Sequence, residues 1–383
     1  MTKKSSKIKR GPLAGGWWVG WSPSELRFDL VSKDWVVIAT GRSRRPEMFK
    51  KERRKKEGVP KAKCPFCQIK TQETPTLIFS KGRKISFKIG DGIPNNWTTI
   101  VIPNKYPAFA PSLDFNERVE GNLYQKINAV GLHELVITKD HKKSMAQLSV
   151  KEIKEVIDVY QERYLELMKE KFVNYVSIFH NHGIEAGASV AHPHSQIITT
   201  PLIDADLQKA LFNSEKYYKK TKKCIYCQMG NWEQKVRKRV VFENKDFLVI
   251  CPFASKAAFE MIISPKKHLS NFEKITEKEK WQLAEAFQVA LNKLYKALND
   301  PPYNFYLHTA PCDGKKYPYY HWHFTILPKT ATWAGFELGV RMEISTIEPE
   351  KAAEYLRLQP THRIRGAFKE GGGRVGVPPS AGP

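Results

Sequence analysis

Short apolar runs of the β type alternate with a longer helical pattern in the first part of the chain. The runs that predict strands cover residues 28–40, 98–103, 132–138, 175–179 and 190–199. Apolar residues also recur at every third or fourth position from Val150 to Tyr160, and Ser149 with Glu152 forms a capping-box pattern at their start. This segment predicts a helix over residues 149–169.

A similar order of elements follows in the second part of the chain. Helices are predicted over residues 204–223 and 276–298, and strands near residue 240 and over 247–251, 259–264, 304–308 and 319–327. The ends differ: we predict a basic arm over residues 1–25 and a flexible tail rich in Gly and Pro over residues 362–383. Between them we predict two domains, residues 26–203 and 204–361.

Three motifs occur twice, in the same order. The pairs are CPFC at 64–67 with CIYC at 224–227, the run 134–141 with the run 260–268 after one insertion, and HPH at 192–194 with HWH at 321–323. Three matched motifs in one order indicate an internal duplication. We therefore predict an α+β fold of two similar halves, each an antiparallel sheet with helices on one face.

The repeated Cys and His residues have the composition of metal sites. Zinc prefers four ligands drawn from Cys thiolates and His nitrogens in a tetrahedron. Each half offers a CxxC pair, a His after a strand and the first His of its HxH motif. The predicted sites are Cys64, Cys67, His141 and His192 in the first half, and Cys224, Cys227, His268 and His321 in the second. Because four protein ligands leave no open position, we expect two structural zinc ions per chain.

The segment around HPHSQ carries the candidate reaction. Alternate residues of a strand share one face, which would place His192, His194 and Gln196 in a row. His192 would anchor the strand to zinc, and the free imidazole of His194 would attack the α-phosphorus of a nucleotide sugar. Gln196 would donate an amide N–H to a phosphoryl oxygen. The second half has Thr325 at the position of Gln196, so we expect that half to be catalytically idle.

Two further segments have phosphate-binding character. Asn181, Gly187 and Ser189 precede the reactive strand, and small residues let the backbone approach a phosphate while Asn and Ser can donate to it. Arg42 and Arg45 follow a predicted strand, and guanidinium groups bind phosphate bidentately. The alternatives are ordinary turn residues and a solvated charge run.

Composition agrees with a globular protein that meets anions. The 63 Lys and Arg against 39 Asp and Glu give a net charge of +24, which suits phosphate esters, nucleotides or nucleic acid. With two CxxC pairs, this charge leaves a zinc-dependent nucleic-acid-binding protein as an alternative, although such a protein would lack the HPHSQ strand. No apolar stretch is long enough to span a membrane. The basic start lacks an apolar run, so we expect no signal peptide and a cytoplasmic location.

Taken together, the motifs resemble the galactose-1-phosphate uridylyltransferase family of the histidine-triad superfamily, over roughly residues 26–358. The residues that carry the resemblance are GRSRRP at 41–46, CPFC at 64–67, DH at 140–141, GAS at 187–189, HPHSQ at 192–196, HWH at 321–323 and AGFE at 334–337. The resemblance implies two histidine-triad-like halves. It also implies ping-pong transfer of UMP from UDP-glucose to galactose 1-phosphate through a uridylyl-histidine on His194.

The resemblance also implies binding residues and an assembly. The implied nucleotide and phosphate contacts are Arg42, Arg45, Asn104, Asn181, Gly187, Ser189 and Gln196. Phe336 and Glu337 would reach the sugar from the partner subunit of a homodimer. Histidine-triad hydrolases have a third His where Gln196 stands, so Gln196 points to transfer rather than hydrolysis.

Some residues depart from the best-known members of the family. Those members have Gly where Ser195 stands, and some hold iron in the second half without a CxxC, whereas Cys224 and Cys227 here favour a second zinc. The second CxxC and the LNDPPYN segment at 298–304 also resemble the ADP-glucose phosphorylases of the same family. The base, uridine or adenine, and the acceptor, a sugar phosphate or inorganic phosphate, therefore both stay open.

Overall fold

The computed structural model describes residues 24–40, 45–50, 59–88, 90, 92–112 and 114–360. Arg42, most of the predicted N-terminal arm and the predicted tail at 362–383 lie outside these residues. The helices of the described part are α1 (Val150–Leu167), α2 (Ala205–Thr221), α3 (Ile225–Val236), α4 (Glu277–Leu298), α5 (Gly335–Val340) and α6 (Pro349–Leu358). The strands are β1 (Glu25–Phe28), β2 (Trp35–Ile38), β3 (Leu77–Ser80), β4 (Arg83–Lys84), β5 (Thr99–Pro103), β6 (Arg118–Glu120), β7 (Tyr124–Lys126), β8 (His133–Thr138), β9 (Tyr175–His182), β10 (His194–Thr200), β11 (Val240–Glu243), β12 (Phe247–Ile250), β13 (Met261–Pro265), β14 (Tyr303–His308), β15 (His323–Pro328) and β16 (Ile344–Ser345).

Eleven of these strands form one sheet, in the order β11-β12-β13-β15-β14-β9-β10-β8-β5-β3-β4. Its neighbouring strands are all antiparallel. The two halves have the same spatial order of strands, which is β3-β5-β8-β10-β9 in the first half and β11-β12-β13-β15-β14 in the second. The halves join edge to edge where β9 pairs with β14. The predicted α+β fold of two similar antiparallel halves is confirmed.

The two faces of the sheet have different partners. On one face α1 and α4 pack together over the strands, and side chains such as Ile178, Phe305 and Phe324 are fully buried in the main hydrophobic core. Burial of each such side chain contributes about 1.5–3 kcal/mol. The opposite face, which we call the site face, carries Gln196 next to Phe179, since these two residues pair across β10 and β9.

The long helices begin at the residues that the sequence indicates. Ser149 accepts a hydrogen bond from the Glu152 N–H and donates its own N–H to the Glu152 carboxylate, which completes the predicted capping box of α1. Thr276 and Glu279 repeat this arrangement at the start of α4. None of the helices in the described part of the chain combines the length and the apolar character that a bilayer crossing requires.

Several predicted strands are longer than the observed ones, and the predicted run 319–327 corresponds to β15, which begins only at His323. Strand β10 begins at His194 and not at residue 190, and Pro193, which lacks the N–H that a ladder needs, directly precedes it. His192 therefore lies before the strand. The predicted run 28–40 is broken by a turn in which the Asp29 carboxylate accepts the backbone N–H groups of Val31 and Ser32.

The strand register also corrects the alignment of the two halves. Leu135 lies opposite Gln196, and Ile262 lies opposite Thr325. His141 follows Leu135 at the same distance along the chain as His268 follows Ile262. The insertion expected between these runs is therefore wrong, because the sequence comparison matched two Glu residues that lie on opposite faces. His133 corresponds to Glu260.

Candidate active site and metal centres

The first CxxC pair and two histidines form a compact group of ligand atoms. The thiols of Cys64 and Cys67 and one ring nitrogen each of His141 and His192 lie within 4.8 Å of one another. Cys67 Sγ is 3.2 Å from His141 Nδ1 and 3.6 Å from His192 Nδ1. A tetrahedral zinc ion with Zn–S of about 2.3 Å and Zn–N of about 2.0 Å places its ligand atoms roughly 3.3–3.8 Å apart. The group therefore has the spacing to hold a metal ion.

The second CxxC pair forms an equivalent group with the other two predicted histidines. The ligand atoms of Cys224, Cys227, His268 and His321 lie within 4.8 Å of one another, and Cys227 Sγ is 3.4 Å from both Nδ1 atoms. Cys224 directly precedes α3, a helix that the sequence patterns did not predict, and Cys227 lies in its first turn. This group could also hold a metal ion.

Backbone carbonyls orient the histidines of both groups. The bonds from Nε2 are His141 to the Val59 carbonyl (2.9 Å), His192 to the Thr138 carbonyl (2.7 Å) and His321 to the Pro265 carbonyl (2.8 Å). A carbonyl oxygen only accepts, so each Nε2 carries the proton and each Nδ1 lone pair faces the cysteines. Such outer hydrogen bonds are the usual support of metal-ligating histidines.

His194 is held in one tautomer at the first position of β10. Its side chain is 8% exposed, and its Nδ1 lies 2.9 Å from the His192 carbonyl oxygen. Because that oxygen accepts, Nδ1 carries the proton and Nε2 keeps its lone pair. Burial lowers the pKa of His194, although the hydrogen bond to the His192 carbonyl opposes this effect. The imidazole is therefore neutral near pH 7.

Gln196 lies on the same face two residues later, beside a histidine that the sequence analysis did not identify. His133 Nε2 is 2.8 Å from Gln196 Oε1. Asn104, implied by the family resemblance, lies beside the same ring, with its Nδ2 3.1 Å from His133 Nε2 and 3.4 Å from His133 Nδ1. The sequence gives no local signal for His133, because its contact with Gln196 depends on the register of β8 against β10.

The loop between β9 and β10 brings together the small and polar residues that were singled out before the reactive strand. Asn304 Nδ2 donates to Asn181 Oδ1 and to the Ala186 carbonyl, both at 2.8 Å. Gly187 adopts a left-handed conformation with φ of +87°, and Ser189 is exposed. Ser195 pairs with His180, so Asn181 and His194 are neighbours at the end of the same strand pair.

The other implied binding residues lie on exposed segments. Arg45 is exposed and directly precedes a short 3-10 turn. Phe336 lies on α5 in the second half and is 48% exposed. Glu337, on the same helix, accepts the Ala334 backbone N–H at 3.1 Å. Among the residues that the structure describes, these three make no hydrogen bond or ring contact with His194.

A buried hydrogen-bonded chain supports the back of the reactive strand. Tyr160 of α1 donates to Ser195 Oγ at 2.5 Å, and Ser195 Oγ lies 3.1 Å from His180 Nδ1. All three side chains are at most 2% exposed. Burial lowers the pKa of His180 well below its usual value, so this ring is neutral. Ser195 thus ties the strand that carries His194 to the main helix layer.

The second half repeats the imidazole but not the amide. His323 Nδ1 lies 3.1 Å from the His321 carbonyl, and burial lowers the pKa of His323 to about 4. A cavity of about 650 Å³ adjoins His323 and also Asn181, and one of about 810 Å³ adjoins Asn181 and Pro193 ahead of the reactive strand. Cavity size therefore does not distinguish the halves, and the Gln196 amide does.

Comparison with known proteins gives consistent results over most of the chain. Models of the N-terminal and C-terminal domains of galactose-1-phosphate uridyl transferase match residues 21–203 and 210–366. An ADP-glucose phosphorylase from Arabidopsis thaliana is 32% identical over 362 residues, covering 93% of this chain and 99% of that protein. The galactose-1-phosphate uridylyltransferase of Thermotoga maritima is 26% identical over 345 residues, covering 87% and 98%.

Solved structures show the same likeness. The structure of the Arabidopsis thaliana ADP-glucose phosphorylase with bound ADP-glucose has a TM-score of 0.72 at 28% identity and covers 88% of this chain and 100% of that one. A uridylyltransferase structure has a TM-score of 0.65 at 26% identity and covers 87% and 97%.

Proposed function

The chain belongs to the galactose-1-phosphate uridyl transferase family, and on that basis we propose that it transfers UMP from UDP-glucose to galactose 1-phosphate through His194. The observation that carries the proposal is the hydrogen bond from His194 Nδ1 to the His192 carbonyl. It leaves the lone pair of Nε2 available on a face that also presents the Gln196 amide. A neutral imidazole with a fixed lone pair is a competent nucleophile.

The reaction proceeds in two displacements. In the first, the Nε2 lone pair of His194 attacks the α-phosphorus, a P–N bond forms, and the P–O bond to the β-phosphate breaks to release glucose 1-phosphate. The positive charge that develops on the ring is stabilised through Nδ1–H and the His192 carbonyl. In the second, a phosphate oxygen of galactose 1-phosphate attacks the same phosphorus and the P–N bond breaks. The Gln196 amide would donate to the charged phosphoryl oxygens in both steps.

Both metal centres are proposed to hold zinc, two ions per chain. Their donor sets of two thiols and two imidazoles are those that zinc prefers. Four protein ligands leave no position for substrate, so the ion would act as a crosslink and not as a Lewis acid. In the first half this crosslink would fix His192, and with it the carbonyl that sets the tautomer of His194.

A homodimer is proposed to complete the sugar site. Helix α5 exposes three apolar side chains, with Phe336 at 48%, Leu338 at 65% and Val340 at 56%. An exposed group of this kind fits a surface that a partner covers. Phe336 and Glu337 would then reach the sugar bound in the other subunit.

Adenylyl transfer from ADP-glucose to inorganic phosphate is a second candidate. The observation that favours it is the 32% identity to an ADP-glucose phosphorylase over 93% of this chain. The same His194 chemistry serves both reactions, which differ in the base of the donor and in the acceptor. The experiment must therefore identify the nucleotide-sugar donor and the phosphate-bearing acceptor independently.

A labelling assay tests the proposal. The protein is incubated with UDP-glucose or ADP-glucose carrying the label on the α-phosphorus, and an acid-labile adduct on His194 is measured. Galactose 1-phosphate or inorganic phosphate is then added to remove the label. We expect labelling by UDP-glucose and release by galactose 1-phosphate.

The duplication provides a matched control for this assay. His194→Ala should lose the label, whereas His323→Ala should keep it, although both residues make the same hydrogen bond to a carbonyl two residues earlier. Label that persists in His194→Ala would refute the mechanism. Label from ADP-glucose alone, released by phosphate, would replace the first candidate by the second.

A further inference from the structure

His133 is a single ring that contacts two of the amides around the reactive strand. It lies at the first position of β8 and pairs with Ile198 of β10, so its side chain is on the site face, diagonal to Gln196. His133 Nε2 is 2.8 Å from Gln196 Oε1. An amide oxygen only accepts hydrogen bonds, so Nε2 carries the proton in this contact.

The other ring nitrogen agrees with this tautomer. His133 Nδ1 lies 3.3 Å from the backbone nitrogen of Ala108, and a backbone N–H only donates. Asn104 Nδ2 lies 3.4 Å from the same Nδ1 and 3.1 Å from Nε2, but with Nε2 donating to Gln196 only Nδ1 has a lone pair that can accept from this amide. Asn104 is itself fixed, because its Oδ1 accepts the Tyr106 N–H at 3.0 Å. Both neighbours of Nδ1 are donors, and the shortest contact of Nε2, at 2.8 Å, is to an acceptor, the Gln196 amide oxygen, so the proton belongs on Nε2.

This tautomer determines which end of the Gln196 amide is available. With Oε1 engaged by His133, the Nε2 group of Gln196 is the end that faces away, and it makes no hydrogen bond within the described residues. A half-turn of the amide would bring its NH2 group against the His133 N–H, donor against donor. It would also offer an oxygen to the substrate, which would repel a charged phosphoryl group.

We propose that His133 is a positioning residue that keeps the Gln196 NH2 group directed at the phosphoryl oxygens of the substrate. The inference rests on the proposed function, since it gives Gln196 its role there. His133 does not touch the reacting atoms. Its effect is to remove the cost of orienting a donor during the reaction, which is the basis of electrostatic preorganisation.

The second half provides an internal comparison. Glu260 occupies the position of His133, and Thr325 occupies that of Gln196. Glu260 is buried, and its carboxylate accepts the backbone N–H of Lys256 instead of orienting a neighbour across the strands. Both members of the pair are therefore replaced in the half for which we propose no reaction.

Single-turnover labelling of His194 in a double-mutant cycle tests the inference. His133→Phe removes the donor, and we expect the labelling rate at saturating nucleotide sugar to fall at least about tenfold, which is about 1.4 kcal/mol, with a smaller change in affinity. His133→Gln should restore most of the rate, because its amide can donate to Gln196 Oε1. In a Gln196→Ala background, His133→Phe should cause no further loss.

The outcomes separate this inference from the proposed function. Absence of label in the wild-type protein refutes the proposed function. Label in the wild type with an unchanged rate in His133→Phe, or an equal loss in the Gln196→Ala background, refutes the positioning role alone. Nitrogen-15 shifts of the His133 ring give a readout without turnover, and a proton on Nδ1 would overturn the inference. Metal content and the urea midpoint verify that each variant is folded.

Discussion

Removal of the Ser195 hydroxyl should destabilise the protein more than removal of the hydroxyl that donates to it. In Tyr160→Phe, Ser195 loses its donor but keeps His180 as a partner. In Ser195→Ala, the buried Tyr160 hydroxyl and the buried His180 Nδ1 both lose their partner. Each variant lacks one hydroxyl oxygen of the wild-type protein, but the two variants leave different numbers of buried polar groups without a hydrogen-bond partner.

The magnitudes follow from that count. Loss of an ordinary hydrogen bond costs about 0.5–1.5 kcal/mol, and a buried polar group left without a partner costs about 1–3 kcal/mol. Tyr160→Phe should therefore cost about 1 kcal/mol, and Ser195→Ala about 2–6 kcal/mol. In the double variant only His180 Nδ1 is left unsatisfied, so the second substitution should recover about 1–3 kcal/mol of the loss.

Urea unfolding of the metal-loaded protein measures these differences, provided that the slope against urea is the same in all variants. The expected order of stability is wild type, Tyr160→Phe, the double variant and then Ser195→Ala. If the double variant is less stable than Ser195→Ala, the Tyr160 hydroxyl is not left unsatisfied and the reasoning fails. Equal losses in the two single variants would also contradict it.

Three further predictions concern other parts of the fold. Burial raises the pKa of Glu260 to about 7, above its value in the unfolded chain, so the free energy of unfolding should fall by up to about 3 kcal/mol as the pH rises from about 4.5 through 7. Urea unfolding of Glu260→Gln at pH 5 and pH 8 should show no such loss. A pH dependence of stability that is the same in this variant as in the wild type would contradict the assignment. Cys64→Ser and Cys224→Ser should each lower the metal content by one ion per chain, as measured by elemental analysis, but only Cys64→Ser should abolish labelling of His194. Label retained in Cys64→Ser would show that the metal centre of the first half is not needed for the reaction. A Cβ at Gly131 would lie 2.1 Å from a carbonyl oxygen of β10, so Gly131→Ala should lower the free energy of unfolding by at least about 2 kcal/mol. In Gly230→Ala the added Cβ meets open space, so this control should not lose stability. Equal urea midpoints for the two variants would refute the steric argument.

Features that depend on local sequence could be predicted in advance. The capping residues Ser149 and Thr276 bond within one turn, so the starts of α1 and α4 follow from short patterns. The ligand sets of both metal centres follow from the duplication, because matched motifs in one order restrict which histidines join each CxxC. The separation of His192 from His194 also follows, although His192 lies before the strand.

Features that depend on register could not be predicted. The contact between His133 and Gln196 requires β8 and β10 to be aligned within one residue, and a shift of one residue would place the two side chains on opposite faces. The alignment of the halves failed for the same reason, since Glu134 and Glu260 match in sequence but not in orientation. The pairing of β9 with β14 has no local signature either.

The pairing of β9 with β14 makes the halves interdependent. Asn304, on β14, is the residue whose amide orients Asn181 at the edge of the proposed nucleotide site. The half for which we propose no reaction would therefore act as a scaffold for the half that carries His194. A chain divided after residue 203 would lose this contact and leave β9 as an open sheet edge, prone to pairing with other chains. A single half that folded alone would need another cover for that edge, for example a second copy of itself.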